Sequence, residues 1–340
     1  MINNQATLEY NYSAETTEQQ AEKVLAILRD ELTDSTNPWY LLVDPVPLFK
    51  SGGSPFLDRL IAEDPVPIRL PHSSLIDGDY PWLLPLDITK AANQDLLQQS
   101  VLMALQEIHP QKLCHKAGRA ICGWLSSPFD LTQVTRQLGE TTIQQRVVNS
   151  PILMRYYDPA IHNLLWTQLA PFWHKRLMGM LARWIFVDGD GQSVIRHHTP
   201  ASHPQYTFQL ALIAEQADFI LHDCGIINRA LRQYRQQAIN HPRRCELACA
   251  LLIQQALARL TNHPALANDA EKEIFALQVL QYHPEIDQHP KIEDLLDPDT
   301  FADNVPWSQR IKHLTPTQWQ QYARDCDARQ QRHITTENMR

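Results

Sequence analysis

The stretch from residue 152 to residue 166, ILMRYYDPAIHNLLW, constrains the fold more than any other part of the sequence. Its first six residues are apolar or aromatic apart from Arg155, which is typical of a strand that is covered on both faces. Asp158 then occupies a helix N-cap position and Pro159 the first helical position, and apolar residues follow at helical spacing. The stretch therefore predicts a buried strand that leads into a capped helix, the basic unit of an α/β domain.

Strands and helices alternate along the first 200 residues, which predicts an α/β layer architecture. Alternating or continuous apolar runs predict strands over residues 39–43, 66–70, 82–86, 119–125 and 141–148. Apolar stripes predict helices over residues 17–32, 55–61, 93–108 and 130–138. The turn DGDG that begins at Asp188 predicts a β-hairpin. We therefore expect a mixed sheet rather than a purely parallel one.

The pattern changes after residue 200, where helical spacing predominates. Helices are predicted over residues 205–219, 226–239, 243–260 and 269–280, without a strand of comparable strength. Residues 297–340 are polar, with one predicted helix over 316–324 and a C-terminal end that we expect to be mobile. The predicted fold class is α/β, with an N-terminal mixed α/β sheet domain (1–200), an all-helical C-terminal lobe (201–296) and a polar C-terminal segment (297–340).

Charge and hydropathy narrow the classes of partner. The net charge is -8 and no basic stretch offsets it, which argues against a nucleic-acid partner. The polar N-terminus lacks the apolar core of a signal peptide, and no apolar stretch has the length of a membrane span. The six cysteines are scattered, which favours reduced thiols. We therefore expect a cytoplasmic protein with neither a nucleic-acid nor a membrane partner.

The motifs of catalysis and of cofactor binding give no prediction of an active site. The 15 histidines and six cysteines do not follow metal-ligand spacing, and the turn at Asp188 lacks the glycine and the twelfth-position carboxylate of a calcium loop. The 10 glycines form no phosphate-binding loop. Arg155 and Asp158 could form a catalytic charge pair, but we favour a structural role, with Asp158 as a cap and Arg155 bracing a loop. No catalytic residue, cofactor or metal ligand is predicted.

Four passages occur in an order that suggests a family. The first is the strand Tyr40-Leu-Leu-Val-Asp44, and the second is Ser74-Leu75-Ile-Asp-Gly followed by Tyr80-Pro-Trp82-Leu-Leu-Pro-Leu. The third is Gly-Trp124-Leu-Ser-Ser, which leads into a helix. The fourth is the arginine–aromatic–aspartate–proline turn within the stretch 152–166. Their arrangement resembles the Tap/TEC effector-adaptor family of bacterial type VI secretion systems, a former domain-of-unknown-function family.

The resemblance covers roughly residues 39–170 and implies a function. Family members act as cytoplasmic adaptors or chaperones that hold a toxic effector and help to load it onto the VgrG spike, and they are not enzymes. The expected partners are therefore an effector protein and VgrG. The residues that carry the family motif, as structural or partner-contact residues, are Asp44, Leu75, Trp82, Trp124, Arg155, Tyr156, Asp158 and Pro159. This chain departs from the family pattern at Ala160, where a basic residue is common, and at Tyr80, where a glycine is common.

Two other functions remain open from the sequence. An enzyme of unknown class is possible because an α/β scaffold does not exclude chemistry. A structural subunit of a larger assembly is the third alternative. For an adaptor we expect aromatic anchors at the binding surface, and the tryptophans considered for this role are Trp39, Trp82 and Trp173.

Overall fold

The computed structural model describes residues 9–10, 16–70, 80–109, 112, 118–144, 152–201, 209, 214–237, 243–297, 299–301 and 305–337. The chain divides into two compact units. The sheet unit comprises Asn11–Leu221, and the helical unit comprises Met1–Tyr10 together with His222–Arg340. Each unit is described separately below.

The sheet unit alternates helices with strands, as its sequence predicts. After strand β1 (Glu9–Tyr10), which belongs to the helical unit, the elements are α1 (Thr17–Thr33), β2 (Trp39–Val43), α2 (Val46–Lys50), α3 (Pro55–Ala62), β3 (Val66–Pro67), β4 (Trp82–Leu86), α4 (Ala91–Glu107), β5 (Ile121–Ser126), α5 (Leu131–Thr142), β6 (Ile143–Gln144), β7 (Ile152–Leu153), α6 (Pro159–Gln168), α7 (Pro171–Met178), β8 (Arg183–Val187) and β9 (Ser193–His197).

Six of these strands form one sheet in the order β3-β4-β2-β5-β8-β9. This confirms the α/β class and the hairpin of β8 and β9. The strand directions differ from the expected mixture, because every pairing among the described strands of this sheet is antiparallel. Alternation along the sequence does not determine direction, since a helix between two strands can return the chain to either end of the sheet.

The sheet is covered on both faces. One face packs against α1, α3 and α4 through an apolar core that includes Leu28, Leu60 and Val101. On the opposite face, His162 of α6 lies against Trp184 and Phe186 of β8, at ring-centroid distances of 4.1 and 5.4 Å. Because both faces are covered, all five residues of the central strand β2 are buried.

The stretch from residue 152 to residue 166 is less extended than predicted. Only Ile152–Leu153 form a strand, and it pairs with Ile143–Gln144 in a separate two-stranded sheet. The next residues turn, since the amide of Tyr156 donates to Met154 O and the amide of Asp158 donates to Arg155 O. The predicted strand over 152–157 is therefore wrong beyond its first two residues, because a short apolar run is compatible with a buried turn as well as with a buried strand.

Other element bounds also shift. The helix predicted over 130–138 begins after its Asp130 cap and continues past Gly139 to Thr142, so the strand predicted over 141–148 is reduced to Ile143–Gln144 within the described residues. Pro171 begins the separate helix α7. Residues 145–151 lie outside the described part of the chain.

The helical unit consists mostly of helices, as predicted. Its elements are α8 (Ala214–Gln237, which begins in the sheet unit), β10 (Arg243–Arg244), α9 (Glu246–Arg259), α10 (Asp269–Gln281), α11 (Pro290–Leu296), α12 (Trp307–Arg310) and α13 (Pro316–Glu337), with 3-10 turns at Pro264–Leu266 and Ile286–Gln288. The helices predicted over 205–219 and 226–239 are replaced by α8 where the chain is described, and α13 is longer than expected. An unexpected short strand, β10, pairs with β1.

Histidine–proline pairs begin three of the turns in the helical unit. In His263, His283 and His289 the imidazole Nδ1 accepts a hydrogen bond from the backbone amide two residues later, at 3.1–3.2 Å. The proline that follows each histidine lacks an N–H group and fits the first turn of a helix. These histidines therefore act as caps, which explains part of the high histidine content without a metal.

A β-bulge lies at the centre of the sheet. Leu42 pairs with Gly123 and Val43 pairs with Ile121, so Cys122 is left without an opposite residue on β2. Gly123 has a φ of +140°, and a Cβ atom there would lie 2.5 Å from Ile185 O and 2.7 Å from Trp184 Nε1. Only glycine fits both the conformation and the space at this position.

We expect Gly123→Ala to lower the free energy of unfolding by roughly 3 kcal/mol or more, because strain and overlap add. Gly53→Ala is the matched control, since Gly53 also has a positive φ of +83° but no atom within 4 Å of the added Cβ. The control is expected to cost about 1 kcal/mol. Urea denaturation of both variants measures the difference, and equal losses would contradict the close approach at the bulge.

Candidate functional site

Asp44 and Arg155 form an ion pair at the end of the central strand. Asp44 follows β2 directly, and its Oδ1 accepts a hydrogen bond of 3.0 Å from the amide of Val46 at the start of α2. Its own amide donates to Ala120 O, just before β5, at 2.8 Å. Arg155 lies in the turn before α6 and donates to Asp44 Oδ2 through Nη2. One carboxylate thus joins β2, the start of α2 and the turn before α6.

The two partners differ in their exposure to solvent. The Asp44 side chain is 3% exposed, whereas the Arg155 side chain is 39% exposed and lies 5.8 Å from the Tyr157 ring centroid. Burial raises the pKa of Asp44, and the positive charge of Arg155 partly offsets the rise. Burial also raises the pKa of Tyr157, with a further contribution from the negative charge of Asp44. The arrangement stabilises a buried carboxylate by pairing it with a cation that reaches solvent.

The other residues of the fourth passage have structural roles. Asp158 is the N-cap of α6 and accepts a hydrogen bond of 3.0 Å from the amide of Ala160, as predicted. Pro159 is the first residue of that helix and is buried. Tyr156 is fully buried and contacts Trp184 edge-to-face at 5.7 Å. The interpretation of Arg155 as a brace and Asp158 as a cap agrees with these contacts.

The motif tryptophans lie on the sheet. Trp124, on β5, is fully buried and donates from Nε1 to Ser100 Oγ of α4 at 3.0 Å. Trp82, on β4, is partly buried and packs edge-to-face against Phe49 at 5.8 Å, and Phe49 itself is 45% exposed. Leu75 lies outside the described residues.

The tryptophans considered as binding anchors differ in exposure. Trp39 is buried in the core, so it is not available as a surface anchor. Trp173 is partly exposed, and the Arg176 guanidinium lies 5.1 Å from its ring centroid. Trp82 and Trp173 therefore keep exposed edges that a partner could contact.

Two titratable residues near Asp44 were not identified from the sequence. Glu107, at the end of α4, accepts hydrogen bonds from the amides of Ala120 and Ile121 at 2.9 and 3.1 Å. Burial raises its pKa to about 7. Cys122 is fully buried, its thiol donates to Ala120 O at 3.5 Å, and burial raises its pKa. A glutamate at the end of an amphipathic helix has no sequence signal for this role, because the amides that donate to it lie 13 and 14 residues further along the chain.

This group does not resemble a nucleophilic centre. A reactive cysteine needs a lowered pKa and access to solvent, and Cys122 has neither. Asp44 and Glu107 accept hydrogen bonds from backbone amides and thereby connect neighbouring elements. The arrangement can therefore hold the end of the sheet together, and it offers no activated nucleophile.

A cleft of about 640 Å³ lies elsewhere on the sheet unit. Its described lining comes from the end of α6, from α7 and from the β8–β9 hairpin: Trp166, Pro171, His174, Lys175, Met178, Ala182, Arg183, His197, His198 and Thr199. Five of these ten side chains are basic and none is acidic. The sequence does not indicate this cleft, because its residues come from three elements that only the fold brings together.

The described residues contain neither a candidate metal centre nor a membrane-spanning helix. No group of three histidine, cysteine, aspartate or glutamate side chains there could hold a metal ion. Asp188 instead caps the hairpin turn, with Oδ1 accepting from the amides of Asp190 and Gln192 at 2.8 and 2.9 Å. None of the helices in the same part of the chain has the length and hydropathy to cross a bilayer.

Comparison with protein-family models, with curated proteins and with solved structures found no match for this chain. The resemblance to the effector-adaptor family therefore stays a prediction that is based on the four passages.

We expect the Asp44–Arg155 pair to give a measurable coupling energy in a double-mutant cycle of Asp44→Asn and Arg155→Met. Asparagine keeps the acceptor for the Val46 amide, and methionine keeps most of the arginine stem. The expected coupling is about 1–3 kcal/mol, towards the lower end because Arg155 is partly exposed. Chemical denaturation of the four proteins measures it, and a coupling below about 0.5 kcal/mol would contradict a structural role for the pair.

Glu107 should make stability depend on pH. Because its folded pKa of about 7 lies above the ordinary value of 4.5, the folded state favours the neutral acid. The contribution of Glu107 to the free energy of unfolding is therefore complete below about pH 4.5. This contribution, as much as about 3 kcal/mol, is lost as pH rises through 7. Denaturation curves from pH 4.5 to 8 should show this loss in the wild type and a smaller loss in Glu107→Gln. The exposed Glu22→Gln serves as the control, and identical pH profiles for wild type and Glu107→Gln would refute the assignment.

Proposed function

We propose that this protein is a cytoplasmic adaptor of a bacterial type VI secretion system, which binds a specific toxic effector and promotes its loading onto the VgrG spike. It acts by binding and not by catalysis. The proposal rests on the resemblance of the four passages to the effector-adaptor family and on their arrangement in space.

The main support is that the passages form one structural unit. Parts of the first three passages lie on adjacent antiparallel strands, with β2 at the centre. These strands are Trp39–Val43, Trp82–Leu86 and Ile121–Ser126. The fourth passage is joined to the first by the ion pair between Arg155 and Asp44, which are 111 residues apart. Residues that are distant in sequence but form one contact network are typical of a motif that defines a shared fold.

The contacts of the charged residues around Asp44 favour binding over catalysis. Asp44, Glu107 and Arg155 have perturbed pKa values, a feature that active sites share with structural networks. Here the carboxylates accept hydrogen bonds from backbone amides that begin α2 and β5. Their chemistry is therefore used to hold elements together.

The test is co-purification of the tagged protein with the effector and the VgrG protein encoded beside its gene. We expect the effector to be retained with the adaptor alone, and to associate with VgrG only when the adaptor is present. An effector from a different gene cluster is the control and should not be retained. Failure of all three folded proteins to associate in any pair would overturn the proposal.

The composition of the secreted material distinguishes an adaptor from a structural subunit. A loading factor remains in the cell, so secreted material should contain the effector and VgrG without this protein. A fixed ratio of this protein to VgrG in the secreted material would favour the structural subunit instead.

A further inference from the structure

The cleft on the sheet unit has a basic lining in an acidic protein. The whole chain has a net charge of -8. The cleft is nevertheless lined by five basic side chains: His174, Lys175, Arg183, His197 and His198. Glu31 of α1 lies 2.6 Å from Arg183 and 3.6 Å from His197, and so offsets part of this charge from outside the lining. Basic side chains drawn together against the net charge of the molecule indicate an anionic ligand.

Lys175 is the side chain best placed to meet such a ligand. It is exposed on α7, and within the described part of the chain no carboxylate lies within ion-pair distance of it. Lys175 and His198 line the same cleft. Burial lowers the pKa of His198, and the positive charge of Lys175 lowers it further. A bound carboxylate would therefore pair with Lys175 and accept a hydrogen bond from an N–H group of the neutral His198 imidazole.

The floor of the cleft is held in place before any ligand arrives. The His174 ring stacks on the Trp166 ring at 4.0 Å and 9°, and its Nε2 lies 2.7 Å from Trp166 O. The Arg196 guanidinium lies 4.6 Å from the same indole centroid. Gln137 Oε1 accepts a hydrogen bond of 2.8 Å from the amide of Met180, just after α7. These contacts reduce the ordering that binding would otherwise require.

Apolar surface adjoins the basic lining. Phe172 of α7 is 57% exposed, with the Arg176 guanidinium 4.8 Å from its ring centroid. Pro171 and Met178 of the same helix line the cleft. A ligand that carries both carboxylates and apolar groups would therefore match the lining better than an inorganic anion.

We propose that this cleft binds an acidic peptide segment of a partner protein, one in which carboxylates alternate with apolar side chains. Carboxylates of the segment pair with Lys175 and accept hydrogen bonds from the neighbouring imidazoles, and apolar side chains lie against Phe172 and Pro171. The inference rests on the proposed function only in taking the segment to be part of a protein partner. A nucleic acid fits less well, because the Trp166 ring, on which a base would stack, is already stacked by His174 and Arg196.

The experiment uses the full chain and a fluorescent eight-residue peptide of alternating glutamate and leucine with an amidated C-terminus. A peptide with glutamine in place of glutamate is the uncharged match, and fluorescence anisotropy gives the Kd. We expect the glutamate peptide to bind at least about 10-fold tighter than the glutamine peptide, and to weaken as salt rises from about 50 to 300 mM. The glutamine peptide with a free C-terminus tests whether a terminal carboxylate alone is sufficient, and binding equal to that of the glutamate peptide would overturn the alternating pattern.

Substitutions locate the binding to the cleft. Lys175→Gln should weaken the glutamate peptide about 3-fold and Lys175→Glu about 10-fold, because the second also introduces repulsion. Lys90→Glu, an exposed lysine of the same unit outside the cleft lining, should change the Kd less than about 2-fold. Phe172→Ser should weaken the glutamate peptide without changing its salt dependence.

Several results would overturn the proposal. These are equal affinity for the glutamate and glutamine peptides, an unchanged Kd in Lys175→Glu with the fold intact by circular dichroism, or tighter binding of a single-stranded DNA octamer than of the glutamate peptide. The peptide titration requires neither effector nor VgrG, so its failure is distinguishable from failure of the adaptor function. An affinity for the effector that is unchanged in Lys175→Glu would place the effector on another surface and would likewise reject this cleft.

Discussion

The buried carboxylate of Asp44 is the interaction on which the sheet unit depends most. It lies at the end of a strand whose residues are all buried, where an unpaired charge would be costly. The structure satisfies it with an amide from α2 and a guanidinium from the turn before α6. As a result, the direction in which the chain leaves β2 and the position of α6 on the far side of the sheet are fixed by one side chain.

The same end of the sheet shows how carboxylates connect neighbouring elements through backbone amides. Glu107 accepts hydrogen bonds from the two backbone amides at the start of β5. The bulge at Cys122 and Gly123 follows immediately. The indole of Trp184 donates to the Cys122 carbonyl at 3.3 Å, so an otherwise unpaired group of the bulge is satisfied. Burial shifts the pKa values in this region, and the shifts accompany structural hydrogen bonds. This observation supports the proposal that the protein acts by binding.

The sheet unit separates structure from recognition. Its perturbed acids are Asp44, directly after β2, and Glu107, at the end of α4, whereas its exposed basic and aromatic side chains are on α7 and the β8–β9 hairpin. An adaptor needs this division, because a contact surface must offer charge to a partner, while a buried charge must be satisfied internally. The proposed adaptor function and the proposed acidic segment are thus consistent with one another on physical grounds.

The sequence alone determined the class of fold, most element positions and several local contacts. Helical spacing identified α1 and α4, the aspartate–proline pair identified the cap of α6, and the DGDG turn identified the hairpin, because each depends on neighbouring residues only. Only the tertiary structure decided the antiparallel direction of the sheet, the turn at Tyr156, the partner of Arg155 and the basic cleft. These depend on groups that are distant in sequence, such as Asp44 and Arg155, and local periodicity carries no information about which distant groups meet.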